Sequence, residues 1–305
     1  MNRFVKKLKD PRKLFFTMAH RGWVNFLSDE IFLTIAYRIK MGKKLNLDNP
    51  QTYNEKLQWL KIHDRNPLYT ELVDKVLVKD YVANLVGDEY LIPTLGVWKR
   101  GEDIDFDSLP DQFVLKVNHN SGGLVICKDK STLDKNKSIK RLNYALTHNY
   151  YNELREWPYK NVKPRILAEQ YMEDKKSGEL RDYKFFCFGG IPKFLYVATE
   201  RQNEKTDTKF DFFDTDYNHL DLINGHPMAD TPPEKPENFD LMLELAAKLS
   251  ANIPHVRVDF YEVNGRVYFG ELTFTHWSGM VSFEPEEWDY KLGELIDLKS
   301  VKTSK

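Results

Sequence analysis

Charged side chains interrupt two strand-like segments near the C-terminal end of the sequence. Arg257 and Asp259 lie in the first segment, and Glu271 and Thr273 lie in the second, after a short turn. A charge inside a strand is costly unless something binds it. A divalent cation that carries nucleotide phosphates would bind the two carboxylates, and the arginine would contact the phosphates. The pattern predicts such a site, although the spacing alone also fits a surface hairpin with solvated charges.

The register of this hairpin decides whether the charges meet. With a two-residue turn, Glu271 would face the opposite side of the sheet from Asp259. With a three-residue loop over 263–265, Glu271 would lie opposite Arg257 and diagonal to Asp259, roughly 7–8 Å away. Because that spacing suits carboxylates bridged by Mg²⁺, we predict the three-residue loop, with Gly265 as its left-handed bulge residue.

A lysine lies in an apolar strand-like segment of the first half of the chain. Lys116 ends the run Phe-Val-Leu-Lys, and Ser121, Gly122 and Gly123 follow before a second apolar segment. A buried ammonium group needs an anion, and backbone N–H groups of a small-residue loop can bind phosphate oxygens. The loop by itself is more typical of an ordinary hairpin, and neither GxxxxGK[ST] nor GxGxxG is present.

A third segment, residues 166–172, is a strand that ends in polar and apolar side chains suited to a nucleobase. Backbone groups around Glu169, Gln170 and Tyr171 would pair with the edge of an adenine ring, and Met172 would pack on its face. Taken alone, this segment is more typical of a plain strand end.

The composition is that of a globular chain with room for two or three lobes. The 305 residues are 41% apolar and 13% aromatic, and the net charge is −1, yet residues 1–44 hold eleven Lys or Arg against three Asp or Glu. The sequence shows no run of 18 apolar residues, no signal-peptide pattern and no HExxH spacing, which argues against a membrane span, secretion and zinc hydrolysis. Cys127 and Cys187 lie in apolar segments without CxxC spacing, so we expect reduced thiols in a cytoplasmic protein.

Periodicity and caps divide the chain into a helical first part and a strand-rich remainder. Residues 1–90 are predicted to be mainly helical, with helix starts near Ser28, Thr52, Asn66 and Asp74. A proline-rich segment, 201–236, is predicted to be a long active-site loop with one short strand at 209–213. The other strands and helices are predicted at 113–117, 123–127, 138–151 (helix), 165–172, 183–188, 191–198 and 239–252 (helix).

In this order, the elements resemble the ATP-grasp superfamily over roughly residues 70–285. The matching residues are Asp74, Lys75 and Lys79, Lys116 with loop 121–123, segment 168–172, segment 181–184, and the set Arg257, Asp259, Glu271 and Thr273. Segments 52–60 and 268–274 are similar to the TupA-like branch, found in bacterial surface-polysaccharide gene clusters and often labelled glycosyltransferases.

The resemblance implies an α+β fold with two α+β lobes that clasp ATP. The implied divisions are a basic helical extension over residues 1–70, a substrate or linker region over 71–110, a small lobe over 111–172 and a C-terminal lobe over 173–305.

The resemblance also implies a role for each matching residue. Lys79 and Lys116 would hold the α- and β-phosphates, and Ser121, Gly122 and Gly123 would close over the β/γ end. Glu169, Gln170, Tyr171 and Met172 would form the adenine site, with Asp182, or alternatively Glu179, at the ribose. Asp259 and Glu271 would bind two Mg²⁺, and Thr273 stands where relatives commonly have Asn, a stronger ligand. Arg257 would stabilise the transferring phosphoryl group, helped by Arg201 or Lys209.

The implied reaction joins a carboxylate to an amine through an acyl phosphate, at the expense of ATP. The carboxylate would be a uronic acid on a glycan or nucleotide-sugar and the amine an amino acid, or an amino sugar would be acylated by an amino acid. Two alternatives stay open. A glycosyltransferase would use an Asp-x-Asp pair, for which Asp214-x-Asp216 and Asp103-x-Asp105 match the letters only. A peripheral membrane or scaffold protein would have a decayed nucleotide site, and the basic N-terminal segment would favour membrane contact. Nucleic-acid binding has little support.

Overall fold

The computed structural model describes residues 10–120, 122–175, 178, 180–200 and 207–301. Its N-terminal part is helical, as predicted. Ser28 caps a helix that ends at Gly42 with φ 69°, and Thr52 and Glu55 form the predicted capping box. The last helix begins later than predicted because the carboxylate of Asp74 holds the preceding backbone in a turn. The helices are α1 Pro11–His20, α2 Asp29–Met41, α3 Tyr53–His63, α4 Leu68–Leu72 and α5 Val78–Val86.

The first lobe is built on a four-stranded antiparallel sheet. Its order is β1-β4-β2-β3, with β1 Thr94–Trp98, β2 Phe113–Val117, β3 Val125–Cys127 and β4 Ile166–Gln170. Alternate residues of β2, such as Phe113 and Leu115, are fully buried against helix α6 Lys135–Leu146, which α7 Tyr151–Leu154 follows. Strand β1 was not predicted from the sequence, because its burial pattern is mostly exposed.

The second lobe is built on a six-stranded antiparallel sheet in the order β11-β10-β5-β6-β7-β8. Every residue of β5 is buried, so the strand is a continuous apolar run broken by a few charges. The strands are β5 Asp182–Phe188, β6 Ile191–Thr199, β7 Lys209–Asp214, β8 His219–Leu220, β10 His255–Val263 and β11 Arg266–Thr273, and β9 Ile223–Asn224 pairs separately with β12 Phe283–Glu284.

Helices cover both faces of this sheet. Helix α8, Phe239–Leu249, packs on one face together with α4 and α5. Helix α3 packs on the other face through Tyr53, Leu57 and Leu60, beside α9 Glu287–Glu294. Helices α1 and α2 form a further small core that also includes Met280. The N-terminal helices are therefore packed against the second lobe, and no helix of the described ranges is long and apolar enough to cross a membrane.

The hairpin register differs from the prediction. Val263 pairs with Arg266, and the turn residues Asn264 and Gly265 have φ of 50° and 75°, so the turn has two residues rather than three. The charges still share one face because a β-bulge follows. Phe260 pairs with Phe269, whereas Asp259 pairs with Glu271, which leaves Gly270 as the extra residue. The prediction from sequence therefore missed the bulge. The extra residue moves Glu271 and Thr273 of β11 onto the face of the sheet that carries Arg257 and Asp259.

Candidate active site

A cleft of about 800 Å³ lies between the two sheets. This is the size of a site for a nucleotide-sized ligand. The small lobe contributes strands β2, β3 and β4, and the large lobe contributes β5, β10 and β11. Apolar side chains form one region of the wall and charged side chains form another. The lining residues include Ile92, Val114, Leu124, Ile126, Met172 and Leu180, and the charged Lys75, Lys116, Lys128, Glu169, Lys184 and Glu271.

Glu169 joins the two lysines predicted to hold phosphates. Its Oε1 lies 2.7 Å from Lys79 Nζ, and its Oε2 lies 2.5 Å from Lys116 Nζ. Lys79 also donates to the carbonyl of Ile92 and to Thr94 Oγ1, each at 2.7 Å. Burial alone would raise the pKa of Glu169, but the two ammonium groups outweigh burial and lower it. Glu169 therefore fixes both ammonium groups; Lys116 lines the cleft, and Lys79 lies behind Glu169 rather than in the cleft wall.

A second charged group lies on the face of the large sheet. Lys184, Asp259 and Glu271 occupy matching positions on β5, β10 and β11, so they form one row across three strands. Arg257 donates to both oxygens of Asp259, from Nε and Nη2, at 2.7 Å each. Lys184 also donates to Asp259 Oδ2 and lies 3.4 Å from Asp182. Asp259 is thus a buried carboxylate between two cations.

Glu271 is the carboxylate of this row that turns toward the cleft. Its side chain is 38% exposed, whereas that of Asp259 is 1% exposed. Its Oε1 lies 3.4 Å from Arg257 Nη2, and its Oε2 lies 3.8 Å from Lys75 Nζ. Burial acts to raise the pKa of Glu271, but Lys75, Lys184 and Arg257 lower it to about 2. Glu271 is therefore ionised at neutral pH with oxygens available to a ligand.

Thr273, the third predicted metal ligand, lies beside Glu271 and Arg257. Its Oγ1 accepts a hydrogen bond of 3.0 Å from Arg257 Nη2 and lies 3.4 Å from Glu271 Oε1. The hydroxyl thus binds protein groups on both sides. The predicted role of Thr273 as a metal ligand stays a prediction.

A hydrogen bond and close packing within the protein fix the glycine loop. The backbone N–H of Gly122 donates to Asn120 Oδ1 at 2.8 Å, although Gly122 lines the cleft. Gly123 has φ 66°, and a Cβ there would lie 2.6 Å from the Cβ of Ala145. Glycine is therefore required at 123 for packing against α6. Ser121 lies outside the described residues.

The predicted adenine segment lines the apolar part of the cleft. Gln170, Tyr171 and Met172 all contribute to the wall, and Lys128 Nζ lies 5.6 Å from the centre of the Tyr171 ring. The N–H of Gln170 donates to the carbonyl of Pro93 at 3.0 Å. Asp182 is fully buried, so a ribose contact would require it to become accessible.

The remaining predicted residues lie away from the cleft or outside the described residues. Lys209 begins β7 opposite Thr199, and strands β5 and β6 separate β7 from β10. Arg201 and Glu179 lie outside the described residues. The two Asp-x-Asp pairs have local partners, because Asp214 accepts from the N–H groups of Asp216 and Asn218, and Asp103 pairs with Arg100 at 2.6 Å.

Sequence reasoning missed Lys75 and Lys184 as site residues, although both lie within matching segments. Lys75 Nζ donates to the carbonyl of Asn120 at 3.1 Å and faces Glu271. Lys184 lies inside an apolar strand, the same signal that identified Lys116. Applying that criterion consistently would have found Lys184.

Sequence reasoning also missed His276 and the loop around it. Arg257 Nη1 lies 2.8 Å from His276 Nδ1, which must accept because a guanidinium only donates. The other ring nitrogen, Nε2, therefore carries the proton and donates to Asn224 Oδ1 at 2.9 Å. Burial, together with the charge of Arg257, holds the pKa of His276 well below its usual range.

Buried polar groups of α3 and of the segment that follows α7 hold this loop. Trp277 and Ser278 have φ of 49° and 55°, a conformation that costs bulky residues energy and often marks functional sites. Gln58 of α3 donates to the carbonyls of Ser278 and Gly279 at 3.1 and 2.8 Å, and Lys61 donates to Ser278 at 2.8 Å. Glu156 accepts from the hydroxyls of Thr275 and Ser278. Helix α3 thereby positions the loop that contacts Arg257.

Comparison with known families agrees with this arrangement. The family model of TupA-like ATP-grasp proteins matches residues 55–297. The chain belongs to the TupA-like ATP-grasp family. This membership confirms the resemblance found in the sequence, the ATP-grasp fold class and the ligase type of enzyme. Among the curated proteins, none matches the chain.

Several solved structures are similar in fold to this TupA-like protein. D-alanine–D-alanine ligase from Bacillus anthracis is 18% identical, with 81% of this chain and 74% of that chain covered and a TM-score of 0.43. The Helicobacter pylori ligase is 16% identical, with 80% and 69% covered and a TM-score of 0.40. The ATP-grasp ligase PsnB, solved with minimal precursor, Mg and ADP, is 9% identical, with 81% and 66% covered and a TM-score of 0.42.

The residues of the TupA-like site fit a metal–phosphate group in part. Carboxylate oxygens are the ligands Mg²⁺ prefers, and Glu271 offers ionised oxygens toward the cleft. Both oxygens of Asp259 already accept from Arg257 or Lys184. Asp259 therefore fits a metal only if one of these cations moves. Within the described ranges, no group of three or more His, Cys, Asp or Glu side chains has the spacing to hold a metal.

Proposed function

We propose that this protein is an ATP- and Mg²⁺-dependent carboxylate–amine ligase of bacterial surface-polysaccharide biosynthesis. The observation that carries the proposal is the position of Glu271, an ionised carboxylate among Lys75, Lys184 and Arg257 at the charged end of the cleft. Four lysines and two glutamates line the cleft, so cationic side chains outnumber carboxylates in its wall, as a polyphosphate requires. The apolar end of the same cleft suits a nucleobase.

The two lysines on Glu169 are assigned to the phosphates of ATP. Lys116 lines the cleft and Lys79 lies beside it on a different element, and their shared carboxylate fixes both ammonium groups before ATP arrives. Such preorganisation reduces the cost of ordering flexible lysines on binding. Glu271, with Asp259 and Thr273, would hold Mg²⁺, which would neutralise phosphate charge and align the γ-phosphoryl group.

Arg257 is assigned to the transferring phosphoryl group. Its guanidinium is oriented by Asp259, Thr273 and His276, so little reorganisation is needed when negative charge develops. In the first step, a carboxylate oxygen attacks the γ-phosphorus, and the bond to the β-phosphate oxygen breaks to release ADP. In the second step, an amine attacks the acyl carbon, phosphate leaves, and the amine loses a proton.

The loop of residues 275–279 is proposed to contact the carboxylate and amine substrates. It adjoins Arg257 through His276, and its strained backbone is fixed by buried hydrogen bonds rather than left mobile. The carboxylate would be a uronic acid on a glycan or nucleotide-sugar and the amine an amino acid, or an amino sugar would take the place of the amine. We place the reaction in the cytoplasm, with a peripheral contact to the inner membrane.

The first test is calorimetric titration with a non-hydrolysable ATP analogue, with and without Mg²⁺, beside UDP-glucose and UDP-glucuronate. We expect Mg²⁺-dependent binding of the ATP analogue. Binding of UDP-sugars without the ATP analogue would overturn the proposal in favour of a glycosyltransferase. Binding of both the analogue and UDP-glucuronate would identify the carboxylate class, and amino acids would then be screened for ADP release.

The second test uses Glu271→Gln, which removes the charge but keeps the shape. We expect ADP release to fall by about 100-fold or more, the typical effect of losing one electrostatic group at a transferring phosphate. The matched control is Glu294→Gln, at an exposed position of α9, for which we expect turnover close to that of the unmodified protein. Normal turnover in Glu271→Gln would overturn its assignment.

A further inference from the structure

Four large apolar side chains at the N-terminal end are exposed. Trp23 is 59% exposed, Phe26 81%, Ile31 52% and Ile35 37%. We call these four residues the N-terminal patch. They lie within thirteen consecutive residues, whereas solvent-exposed apolar side chains are normally scattered singly. A concentrated patch of this kind indicates an interaction surface.

Helix α2 shows that the exposure is systematic. Ile31, Ile35 and Arg38 recur at helical spacing, so they form one outward face. The inward face carries Phe32, Leu33, Ala36 and Tyr37, all buried in the small core. The helix therefore has an apolar face toward the protein and a second one, bordered by Arg38, toward solvent.

The charges around the patch are mainly positive. Described residues 10–44 hold seven Lys or Arg and three Asp or Glu. Asp29 is turned inward to Arg65 at 2.5 Å, Asp10 bonds to Arg12 at 3.2 Å, and Lys43 is paired with Glu286 of the large lobe. Glu30 is left as the exposed carboxylate of this segment. Arg21 lies over the Trp23 ring at 5.0 Å, so apolar and cationic groups are interleaved.

We propose that the N-terminal patch docks on an anionic membrane surface. Tryptophan and phenylalanine partition into the headgroup boundary, while lysine and arginine on the same surface attract anionic lipids. The charge of the segment complements such a membrane. The patch gives a specific surface to the membrane contact proposed above, and it does not depend on the ligase chemistry.

The position of the patch links docking to the active site. Its inward side packs in the core that contains Met280, the residue next to the loop of residues 275–279. Asn25 also accepts from the buried Arg155, which precedes Glu156 in sequence. Docking through the patch would therefore hold the substrate side of the cleft at a fixed position near the membrane surface.

The test is co-sedimentation of the full chain with lipid vesicles. We expect binding to vesicles rich in phosphatidylglycerol, weaker binding to pure phosphatidylcholine, and a loss of binding at high salt. The double variant Trp23→Ala, Phe26→Ala should bind the anionic vesicles at least about 10-fold more weakly, since two aromatic side chains would no longer insert into the headgroup boundary. The matched control is Tyr144→Ala, Ile191→Ala, which removes side chains of 66% and 55% exposure elsewhere.

Two readouts keep the test decisive. ATP turnover in solution should be unchanged in the patch variant, so failure of docking and failure of the ligase proposal are distinguishable. Light scattering on a sizing column should give the same molar mass for the unmodified protein and the patch variant. Equal vesicle binding by the patch and control variants would overturn the proposal. So would a dimer that dissociates only in the patch variant, because the patch would then be covered by a second copy of the chain.

Discussion

The guanidinium of Arg257 donates two hydrogen bonds of 2.7 Å to the two carboxylate oxygens of Asp259, two residues along the same strand. Both side chains are almost fully buried. Residues at this spacing share one face of a strand, so the pair is formed without help from another element. Burial alone would lower the pKa of Arg257, but Asp259 raises it well above its usual range. Asp259 thus occupies the fork and fixes the orientation of the guanidinium, whose charge we assign to the transferring phosphoryl group.

Arg257→Lys tests this geometry because it keeps the charge and removes the planar fork. We expect turnover to fall by about 100-fold, since a lysine cannot make the same paired contacts. The Michaelis constant for ATP should change little. Arg266→Lys, at an exposed position of the same hairpin, is the control, and we expect near-normal turnover. A mild loss in Arg257→Lys, equal to that of the control, would show that charge alone suffices.

The ion pairs of Glu169 with Lys79 and Lys116 give a prediction about stability. Glu169→Gln leaves Lys79 and Lys116 close together without a counter-charge, and we expect a loss of about 2 kcal/mol in the free energy of unfolding. The double variant Glu169→Gln, Lys116→Met should lose less than the sum of the two single changes. A double-mutant cycle by chemical denaturation measures this difference. Additive losses would mean that the contact carries no energetic coupling.

The same ion pairs predict an effect on ATP binding. Lys116→Met should weaken binding of the ATP analogue by at least about 10-fold, because one phosphate contact is removed. Lys99→Met, at an exposed position of the same lobe, should bind normally. Calorimetric titration of both variants decides the point, and equal affinities would remove Lys116 from the nucleotide site.

Two glycines with similar φ angles allow the cost of backbone strain to be measured separately from the cost of crowding a side chain. Gly265 has φ 75° and open space where a Cβ would lie, whereas Gly279 has φ 62° and a Cβ there would lie 2.4 Å from Gln58 Nε2 and 2.8 Å from Leu57 Cβ. We expect Gly265→Ala to cost about 1 kcal/mol and Gly279→Ala about 2–4 kcal/mol. Denaturation curves of the two variants check this. Equal costs would mean that α3 yields to the extra methyl and does not fix the loop.

Local signals predicted the fold elements well. The caps at Ser28, Gly42 and Thr52 lie where their sequence patterns put them, because a cap is decided within one helical turn. Charged residues in apolar strands likewise pointed to Lys116 and Asp259, since burial of a charge demands a partner wherever it lies.

Non-local features could not be predicted in this way. The bulge at Gly270 depends on how β11 meets the backbone of β10, and a glycine pattern alone does not reveal it. Similarly, Glu156 meets Thr275 and Ser278 only because the chain returns, more than one hundred residues later, to the segment that follows α7. The supports of the active site therefore became visible only in three dimensions.

The buried His255 gives the last prediction, a dependence of stability on pH. Nδ1 of the neutral ring donates to the carbonyl of Cys187 at 3.0 Å, so Nε2 accepts from the hydroxyl of Tyr53 at 2.9 Å. Burial lowers the pKa of His255 to about 3. The unfolded chain takes up a proton on this histidine below a pH of about 6.5, while the folded protein does not until about pH 3. The free energy of unfolding should therefore decrease as the pH falls from 6.5 toward 3. This histidine contributes about 1 kcal/mol per pH unit.

His255→Gln keeps a donor and an acceptor at this position but removes the titration. Its stability should thus depend less steeply on pH than that of the unmodified protein between about pH 6.5 and 4.5. His148→Gln, at a half-buried position, removes a histidine elsewhere and should keep the original slope. Chemical denaturation at several pH values measures all three slopes. His276, whose pKa is also lowered by burial, remains in each protein, so the difference between the curves isolates His255. Identical slopes in His255→Gln and the unmodified protein would show that folding does not lower the pKa of this histidine.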